Sequence, residues 1–501
     1  MTEVLRPYQA MVIEEFWRAV EAGQRRIIIV APTASGKTVI ARAIIEQARC
    51  KASSSLFLAH RREIITQTSN KLRGIPHGVI RPGDQPRPFE LVQVASVQTL
   101  HRRAIKAGTM ELPEAQYVIV DEAHHVVARS YQSIIEHYPD AVLLGLTATP
   151  CRGDGRGLGN VFQVMLQCPQ VGELVAQGYL VGTKVYAPVD PDLHGVHIRH
   201  GDYVESELAD RMDKPKLVGD IISNWYKFGE RRKTVCFATS VRHSVHIRDE
   251  FIASGVRAEH IDGTTPMDER DATLARLASG ELEVVTNCMV LTEGWDMPVL
   301  GCIILARPTK QMGLYRQMIG RGLRPAADKP NCIVIDHSGA TYRLGFAEDY
   351  VEWTLDPDHH AENSTHAART GDRPGGPRIV ECQDCGAARV GGMACLSCGY
   401  LPAPSPCAIE VIDGDLGLVA SSRRARPHSD DPHLRDEWHS MLAGIAAERG
   451  YKPGWVAHQY RYKFGDWPPH GARPVPVEPS VEVRRWVQSR MIAYARGRKS
   501  A

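Results

Sequence analysis

The sequence predicts an α/β protein with two parallel-sheet lobes in tandem, followed by a small four-cysteine module and a helical C-terminal tail. Three observations support this fold class. Short apolar runs that alternate with helical stretches occur in two sets, four cysteines cluster after the second set, and apolar residues at helical spacing follow the cysteines. Such runs are typical of strands in a parallel sheet that helices cover on both faces.

The two sets of apolar runs define the two lobes. Each run is short and rich in branched residues, which favours a buried strand over the alternative of a buried helix. The first set comprises 27–30, 117–120 and 142–146, and the second comprises 234–238, 283–286, 302–305 and 332–335. We therefore predict lobe 1 over 1–155 and lobe 2 over 156–355.

Changes in composition mark the remaining boundaries. A stretch rich in Pro, Gly, His and Asp predicts a linker over 356–378, and the cysteine pairs define a module over 379–401. A polar stretch predicts a second linker over 402–437, and helical patterning predicts a tail over 438–501.

The bulk composition limits the class of protein. A chain of 501 residues is long enough for two or three domains. The net charge of +2 shows no overall basic excess, so a surface for nucleic acid must be local. No apolar run is long enough to cross a bilayer and no signal peptide is evident, which predicts a cytoplasmic protein without a membrane partner. Twelve cysteines in such a protein do not indicate disulfides.

A phosphate-binding loop follows the first apolar run. Residues 31–38 read APTASGKT and precede an apolar helical stretch, so unpaired backbone N–H groups at a helix N-terminus would face an anion. Lys37 would reach the β- and γ-phosphates of ATP, and the Thr38 hydroxyl would ligate Mg²⁺. Ala31 departs from the glycine of the strict pattern. The alternative is a chance turn, which the placement between strand and helix disfavours.

Two acidic residues follow the run at 117–120. Asp121 and Glu122 would lie at the carboxyl end of a parallel strand, where a ligand crevice forms. Asp121 would hold Mg²⁺, and Glu122 would orient or deprotonate the attacking water. An isolated Asp-Glu pair is usually part of a solvated loop. Downstream of a phosphate loop, the pair indicates a nucleotide hydrolase.

The loop at 31–38 and the sequence DEAH at 121–124 together resemble the superfamily 2 helicases. Further motifs of that family follow in order between residues 5 and 336. They are RPYQ at 6–9, AHRRE at 59–63, ASVQTL at 95–100, LTATP at 146–150, CFATS at 236–240, TN to LTEGWD at 286–296 and QMIGRGLR at 317–324. The resemblance implies two RecA-like lobes that clamp ATP between them, and a DEAH-type ATP hydrolase.

The resemblance also assigns roles at the ATP site. Arg321 and Arg324 would reach the γ-phosphate when the lobes close, and Gln317 would help to position water. The alternative for the two arginines is an exposed basic pair. The implied catalytic residues are Lys37, Asp121, Glu122, His124, Gln317, Arg321 and Arg324. The implied ATP contacts are Arg6, Tyr8, Gln9, Thr33, Ala34, Ser35, Gly36, Lys37, Thr38, Gly294 and Asp296.

A DNA partner, single-stranded or a tailed duplex, is implied in the same way. Contacts with the phosphate backbone position a strand without reading its sequence. The residues implied are Arg61, Ser96, Thr99, Thr239 and Thr292. For Arg61 the alternative is a solvated basic face.

The cysteine cluster consists of two CxxC pairs, each followed by glycine. A glycine at that place permits the tight turn around a metal. Four thiolates give a closed tetrahedral Zn²⁺ site, which is structural because no place is left for water. The ligands would be Cys382, Cys385, Cys395 and Cys398, and the alternative is redox-active or free cysteines.

The tail contains KPGW and YKFGDWP segments after a predicted helix. A motor followed by four cysteines and this ending resembles the bacterial RadD family and its phage-encoded relatives. That resemblance implies a role in DNA repair or recombination, with single-strand-binding protein as a partner. We also predict a small tail core that includes Trp455 and Trp467. From Arg484 onward, a basic segment without acidic residues would meet nucleic-acid phosphates or an acidic partner peptide.

The predicted function is an ATP-dependent DNA helicase or translocase, stimulated by nucleic acid and acting in repair or recombination. Two alternatives stay open. One is the motor subunit of a restriction or phage-replication system. The other is a protein that uses ATP only to switch its binding to DNA or a partner, without unwinding.

Overall fold

The computed structural model describes residues 4–84, 87, 89–187, 191–199, 201–358, 379–401, 432–464, 466–469 and 471–488. The chain forms two compact units, which divide between Ser405 and Pro406. The first unit contains both lobes and the cysteine module, and the second contains the tail. Within the described residues, no helix combines the length and the apolar content needed to cross a membrane.

Lobe 1 is built on a seven-stranded parallel sheet with the strand order β3-β4-β2-β5-β6-β1-β7. Its strands are β1 (Arg26–Val30), β2 (Ser55–Ala59), β3 (Gly78–Ile80), β4 (Val92–Ser96), β5 (Tyr117–Asp121), β6 (Val142–Thr147) and β7 (Val164–Gln167). Its helices are α1 (Pro7–Glu21), α2 (Lys37–Cys50), α3 (Arg62–Lys71), α4 (Val97–Leu100) and α5 (Arg129–Ile135), with a π-helical turn at His101–Lys106 and a 3₁₀ turn at Ala123–His125.

Lobe 2 follows helix α6 (Val171–Ala176) and contains a six-stranded parallel sheet. Its strands are β8 (Gly182–Tyr186), β11 (Thr234–Ala238), β12 (Ala258–Ile261), β13 (Val284–Asn287), β14 (Cys302–Ala306) and β15 (Asn331–Asp336), in the order β12-β13-β11-β14-β15-β8, beside an antiparallel pair, β9 (Ile198–Arg199) and β10 (Asp202–Tyr203). Its helices are α7 (Glu205–Met212), α8 (Pro215–Phe228), α9 (Val241–Ala253), α10 (Met267–Ser279), α11 (Met312–Gly320) and α12 (Ala340–Leu344).

The two parallel-sheet lobes confirm the predicted fold class. All seven predicted runs form strands, namely β1, β5, β6, β11, β13, β14 and β15, and their ends differ from the prediction by at most one residue. Nearly every residue of these strands is buried, because helices cover the sheets. The continuous apolar pattern was therefore a reliable signal.

The predicted boundary between the lobes, at 155/156, is wrong. Strand β7 pairs in parallel with β1, with Met165 opposite Ile28, so it completes the sheet of lobe 1. Its residues are only partly buried because the strand lies at the edge of the sheet. The apolar run of β7, Val164 to Leu166, has only three residues and is shorter than the runs that marked the inner strands.

A return segment, 346–358, leads from lobe 2 back to lobe 1. Val351 exchanges two hydrogen bonds with the Gln170 side chain, of 2.7 and 2.9 Å. The Leu355 carbonyl accepts a hydrogen bond from the Gly159 backbone N–H at 2.6 Å, and its side chain packs against the lobe 1 core. The end of the predicted lobe 2 therefore belongs structurally to lobe 1, and most of the predicted linker, 359–378, lies outside the described residues.

The cysteine module is a small antiparallel ribbon formed by β16 (Ile379–Glu381) and β17 (Ala388–Val390). Cys382 and Cys395 are buried in one apolar cluster with Tyr186 of β8 and Trp225 of α8. The module therefore shares a core with lobe 2.

Within the described residues, the tail unit contains the helices α13 (Pro432–Arg449) and α14 (Pro453–Phe464) and a helical stretch over 481–488. The tail is helical from Pro432, so the predicted start at residue 438 is wrong by at least one helical turn. The first turn of α13 is mostly polar, and it therefore lacks the apolar spacing from which the helix was predicted. The apolar cluster of the tail contains Trp438, Met441, Leu442, Ala443, Ile445, Ala446, Val456, Tyr460, Phe464, Val483 and Val487.

The two tail tryptophans differ. Trp455 packs against this cluster as predicted, whereas Trp467 is half exposed and lies beside Arg461 instead. Arg484 is held by two hydrogen bonds to Glu448, of 2.6 and 2.7 Å, so it is not a free phosphate ligand. The predicted basic residues from 490 onward lie outside the described residues.

Candidate active site

The phosphate-binding loop has the backbone that an anion site requires. Helix α2 begins at Lys37, and the preceding Gly36 has φ of +90°. Ala34 also has a positive φ, of +70°. A Cβ on Gly36 would lie 2.5 Å from Nε2 of Gln9, so only glycine fits there. The loop therefore ends in a helix N-terminus whose first N–H groups have no helical partner.

The N-terminal segment RPYQ at 6–9, which contains three of the implied ATP contacts, is fixed to this loop. The Tyr8 hydroxyl and Gln9 Nε2 both donate to the Ser35 carbonyl, at 2.6 and 2.9 Å. Arg6 donates to the Tyr8 hydroxyl at 3.2 Å. Tyr179, which the sequence did not single out, packs edge-on against Tyr8 and lies 4.9 Å from the Arg6 guanidinium.

The catalytic carboxylates lie beside the loop. Lys37 Nζ is 3.4 Å from one Glu122 oxygen, and His124 Nδ1 is 3.5 Å from the other. Burial and the neighbouring Glu122 raise the pKa of Asp121 to about 7, and burial lowers the pKa of His124. Two adjacent buried carboxylates beside one ammonium group are suited to a divalent cation, which would relieve their repulsion.

A cavity of about 790 Å³ opens next to this cluster, and both lobes line it. Lobe 1 contributes Arg6, Gln9, Ala34, Gly36 and Thr38, and lobe 2 contributes Asp296, Pro298, Arg324 and Pro325. The structure thus brings six of the eleven predicted ATP contacts, five from lobe 1 and Asp296 from lobe 2, onto one cavity. The other five, Tyr8, Thr33, Ser35, Lys37 and Gly294, do not line it.

The two arginines of lobe 2 already have protein partners. Arg321 Nε donates to the Thr292 carbonyl, and its Nη1 donates to the Trp295 carbonyl, both at 3.0 Å. Arg324 forms an ion pair with Asp296. Burial and the charge of Arg324 lower the pKa of Arg321 to about 10. Arg321 is only 7% exposed, which excludes the alternative that it belongs to an exposed basic pair.

A second cavity, of about 490 Å³, also lies between the lobes. It is lined by the predicted catalytic residues His124 and Gln317, and by three residues that the sequence analysis did not assign, His60, His125 and Glu293. His60 and Glu293 lie inside the motifs at 59–63 and 286–296, and His125 directly follows DEAH at 121–124. The sequence offered no other indication that these three residues meet.

The predicted strand contacts do not form an open surface in this arrangement. The side chains of Ser96, Thr99, Thr239 and Thr292 are buried. The hydroxyl of Ser96 caps helix α4, and the hydroxyls of Thr239 and Thr292 bond to a histidine and to a backbone carbonyl. Arg61 reaches across to lobe 2 rather than into solvent. Their contact with DNA stays a prediction.

The four cysteines converge. Cys382 Sγ lies 3.7 Å from Cys398 Sγ, and Cys385 Sγ lies 3.7 Å from Cys395 Sγ. Sulfurs bound tetrahedrally to Zn²⁺ at about 2.3 Å are about 3.8 Å apart, so the spacing fits a zinc ion. The glycine after each pair has φ of +73° and +75°, which is the turn that the sequence predicted.

Comparison with known proteins assigns the two lobes. Residues 2–152 match the family described as the res subunit of type III restriction enzymes, and residues 213–326 match the helicase conserved C-terminal domain. A 51.5 kDa protein of a Lactococcus phage (isolate 7-9) is 31% identical over 326 residues, which cover 65% of this chain and 68% of the phage protein. A Saccharomyces cerevisiae protein named as the ATP-dependent helicase IRC3 is 33% identical over 361 residues, which cover 68% of this chain and 52% of the yeast protein.

Solved structures agree on the fold. A fragment described as the HsdR subunit of a type I restriction enzyme from Vibrio vulnificus YJ016 has a TM-score of 0.56 at 20% identity, and the match covers 71% of this chain and 68% of that chain. The type ISP restriction-modification enzyme LlaBIII, bound to DNA, has a TM-score of 0.51 at 17% identity and covers 73% of this chain and 29% of its own.

The chain thus spans two thirds of the phage relative but about half of the yeast relative. The residues that line the cavity of about 790 Å³ all fall within the two family matches, 2–152 and 213–326. This chain belongs to the superfamily 2 helicases.

Proposed function

We propose that this chain is a DEAH-type, ATP-dependent DNA helicase or translocase whose hydrolysis is stimulated by nucleic acid. The observation that carries the proposal is the cavity of about 790 Å³ that the phosphate-binding loop and lobe 2 line together. Because each lobe supplies part of the contact with ATP, binding and hydrolysis would change how the lobes fit together. Such a change is the basis of movement along a strand.

Each group near the loop has a role in hydrolysis. Lys37 holds the β- and γ-phosphates, and Glu122, buried between Lys37 and His124, orients the attacking water. Thr38 and Asp121 would hold Mg²⁺, which would supply neutralising charge to the phosphates when it is bound. Gln317 is proposed to help to position the water.

The arginines of lobe 2 act later than Lys37 in this scheme. Arg321 and Arg324 exchange their present partners, two backbone carbonyls and Asp296, for the γ-phosphate. Charge that develops in the transition state favours this exchange. Gly294 and Asp296 report the state of the nucleotide to lobe 2, as the helicase resemblance implies.

DNA is the proposed substrate because the named restriction-enzyme relatives act on it and the LlaBIII structure contains it. The predicted strand contacts, Arg61, Ser96, Thr99, Thr239 and Thr292, become available only when the lobes rearrange. The match to a restriction-enzyme subunit also favours a second candidate, the motor of a restriction system. That candidate requires a nuclease activity, from this chain or from a partner.

The proposed cellular role rests on the RadD resemblance. It assigns the chain to DNA repair or recombination in the cytoplasm, with single-strand-binding protein as a partner. The four cysteines are proposed to hold one structural Zn²⁺. Half-exposed Trp467, beside Arg461, gives the tail an aromatic and basic surface of the kind that single strands or partner peptides bind.

A strand-separation assay tests the function. The full chain is mixed with a blunt duplex or with duplexes that carry a 3′ or a 5′ single-stranded tail, with and without ATP, and Lys37→Ala is the matched control. We expect DNA to stimulate ATP hydrolysis and a tailed duplex to be separated.

The other outcomes separate the alternatives. Displacement of streptavidin from a biotinylated end without strand separation indicates a translocase. A change in DNA affinity on ATP binding, without hydrolysis-driven movement, indicates a switched binding protein. Cleavage of the DNA in the presence of ATP favours the restriction motor. Absence of ATP hydrolysis with every DNA and RNA tested would contradict the proposal itself.

A further inference from the structure

Glu293 lies at the centre of the contact between the two lobes. It follows strand β13 in lobe 2, it is 6% exposed, and it is the only charged residue in 289–294. Its Oε2 lies 3.0 Å from His60 Nε2 and 3.1 Å from Arg61 Nε, within ion-pair distance of both. Both residues belong to lobe 1, where β2 ends and α3 begins.

Neighbouring contacts join the same two segments. Arg61 also donates to the Val290 carbonyl and to the Thr292 hydroxyl, both at 3.3 Å. Gln67 of α3 donates to the Gly294 carbonyl at 2.7 Å. Residues 289–294 are therefore hydrogen-bonded to Arg61 and Gln67 of lobe 1. Glu293 is the buried charged residue of this segment.

A row of imidazoles leads from Glu293 to the catalytic carboxylate. The His60 ring lies 4.6 Å from the His125 ring, and the His125 ring lies 4.1 Å from the His124 ring. His124 in turn approaches Glu122 at 3.5 Å. Burial lowers the pKa of His124 and lowers that of His125 to about 3. Both rings are therefore uncharged near neutral pH, so the row transmits position rather than charge.

We propose that Glu293 is a positioning residue for ATP hydrolysis, which acts through His60 and the packed histidines on Glu122. In the arrangement described, the contacts of Glu293 with His60 and Arg61 fix the row. Separation of the lobes would break these contacts, so that Glu122 is correctly oriented only while the lobes are together. This inference rests on the proposed function, since it assumes that Glu122 orients the attacking water. Under this proposal, contact between the two lobes is required for fast ATP hydrolysis but not for ATP binding.

A metal ion is a weaker explanation of the same cluster. The ligand atoms of His60, His125 and Glu293 lie within 4.8 Å of one another, a spacing that resembles a metal site. However, Arg61 lies 3.1 Å from the same Glu293 oxygen that faces His60. A guanidinium next to that oxygen repels a divalent cation, so the ion pair without a metal is favoured.

Steady-state ATP hydrolysis with saturating DNA tests the proposal. Glu293→Ala should lower kcat by about tenfold to a hundredfold, because a displaced catalytic group has effects of this size. The affinity for ATP, measured by titration, should change by less than about threefold. Glu293→Gln should restore part of kcat, because the amide keeps the shape of the side chain and an oxygen that can face His60 and Arg61. If Glu293→Ala fails to fold, as judged by thermal unfolding, Glu293→Gln and His60→Ala carry the test.

Two comparisons distinguish a role of Glu293 in positioning Glu122 from a general role in holding the two lobes together. Arg270→Gln removes a different ion pair between the lobes, that of Arg270 with Glu63, which involves none of the three histidines. It should leave kcat within about twofold. The double variant His60→Ala/Glu293→Ala should be no slower than Glu293→Ala, because both changes break one path.

The proposal would be overturned if Glu293→Ala left kcat unchanged, or if Glu293→Ala and Arg270→Gln lowered kcat equally. It would also be overturned if ATP affinity and kcat fell together in Glu293→Ala, or if the effects of the two changes on kcat were additive in the double variant. If kcat is unchanged in Glu293→Ala, a wild-type enzyme that hydrolyses ATP and loses this activity in Lys37→Ala leaves the proposed function intact. A wild-type chain that hydrolyses no ATP refutes the proposed function instead.

Discussion

The two halves of the ATP cavity differ in how their side chains are held. In lobe 1, Tyr8 and Gln9 brace the phosphate-binding loop through the Ser35 carbonyl, and Lys37 is paired with Glu122, which the proposed mechanism uses. In lobe 2, by contrast, Arg321 is bonded to two backbone carbonyls of its own lobe, and Arg324 is paired with Asp296.

This difference assigns separate tasks to the two lobes. A preformed half-site can bind ATP without rearrangement, so lobe 1 should determine the affinity. In lobe 2, the two arginines must first leave their present partners before they can bind the γ-phosphate. The negative charge that develops in the transition state compensates for the loss of those partners, so the arginines contribute most at that point. Lobe 2 should therefore determine the rate.

The largest expected effect follows from Lys37→Ala in lobe 1. Loss of the ammonium group removes the contact with the phosphates, so ATP affinity should fall and turnover should drop by at least about 1,000-fold. Titration with a fluorescent ATP analogue and a phosphate-release assay measure the two effects. Tight binding of ATP by this variant would show that lobe 1 does not determine affinity.

Glu122→Gln separates binding from chemistry within lobe 1. The amide keeps the shape but cannot activate water, so turnover should fall by about a hundredfold or more while ATP remains bound. The same two assays apply, with the wild type as reference. Turnover close to the wild-type rate would remove the role assigned to Glu122.

Arg321→Ala tests lobe 2. We expect kcat to fall by about a hundredfold and ATP affinity to change by less than about threefold, since the contact forms only in the transition state. Arg321→Lys is the control that keeps the positive charge. A thermal unfolding curve shows whether loss of the buried side chain has destabilised the protein. If affinity and rate fell together, the two lobes would not have separate tasks.

Removal of zinc should have the smallest effect and should also be confined to lobe 2. Elemental analysis of the purified wild type should find one zinc per chain, and Cys385→Ser should lose it, because metal binding stabilises the ribbon. The ribbon shares a core with Trp225, so kcat should fall by a few-fold while ATP affinity is retained. Purified protein without zinc, or a variant that loses ATP affinity first, would contradict this expectation.

Much of the fold could be predicted because its inner strands are buried on both faces. Continuous runs such as 234–238 and 302–305 have no polar alternation, and they became strands almost residue for residue. The edge strand β7 was missed because its apolar run, Val164 to Leu166, is only three residues long. The end of lobe 2 was assigned to the wrong lobe because the return segment folds back through contacts with residues far away in the chain, such as Gln170.

The candidate site divides in the same way. The sequence by itself determined the features that depend on neighbours along the chain: the loop that ends in Gly36 and Lys37, the Asp121–Glu122 pair at the end of a strand, and the two CxxC turns. Short spacing fixes such geometry before any tertiary contact forms.

Only the tertiary structure decided which distant groups meet. It placed Arg321 against the Thr292 and Trp295 carbonyls, buried the hydroxyl of Thr239, and brought Glu293 of lobe 2 to His60 of lobe 1. These pairings depend on burial, because a charged or polar group that leaves water must find a partner wherever the packed lobes supply one. No local pattern in the sequence specifies that partner.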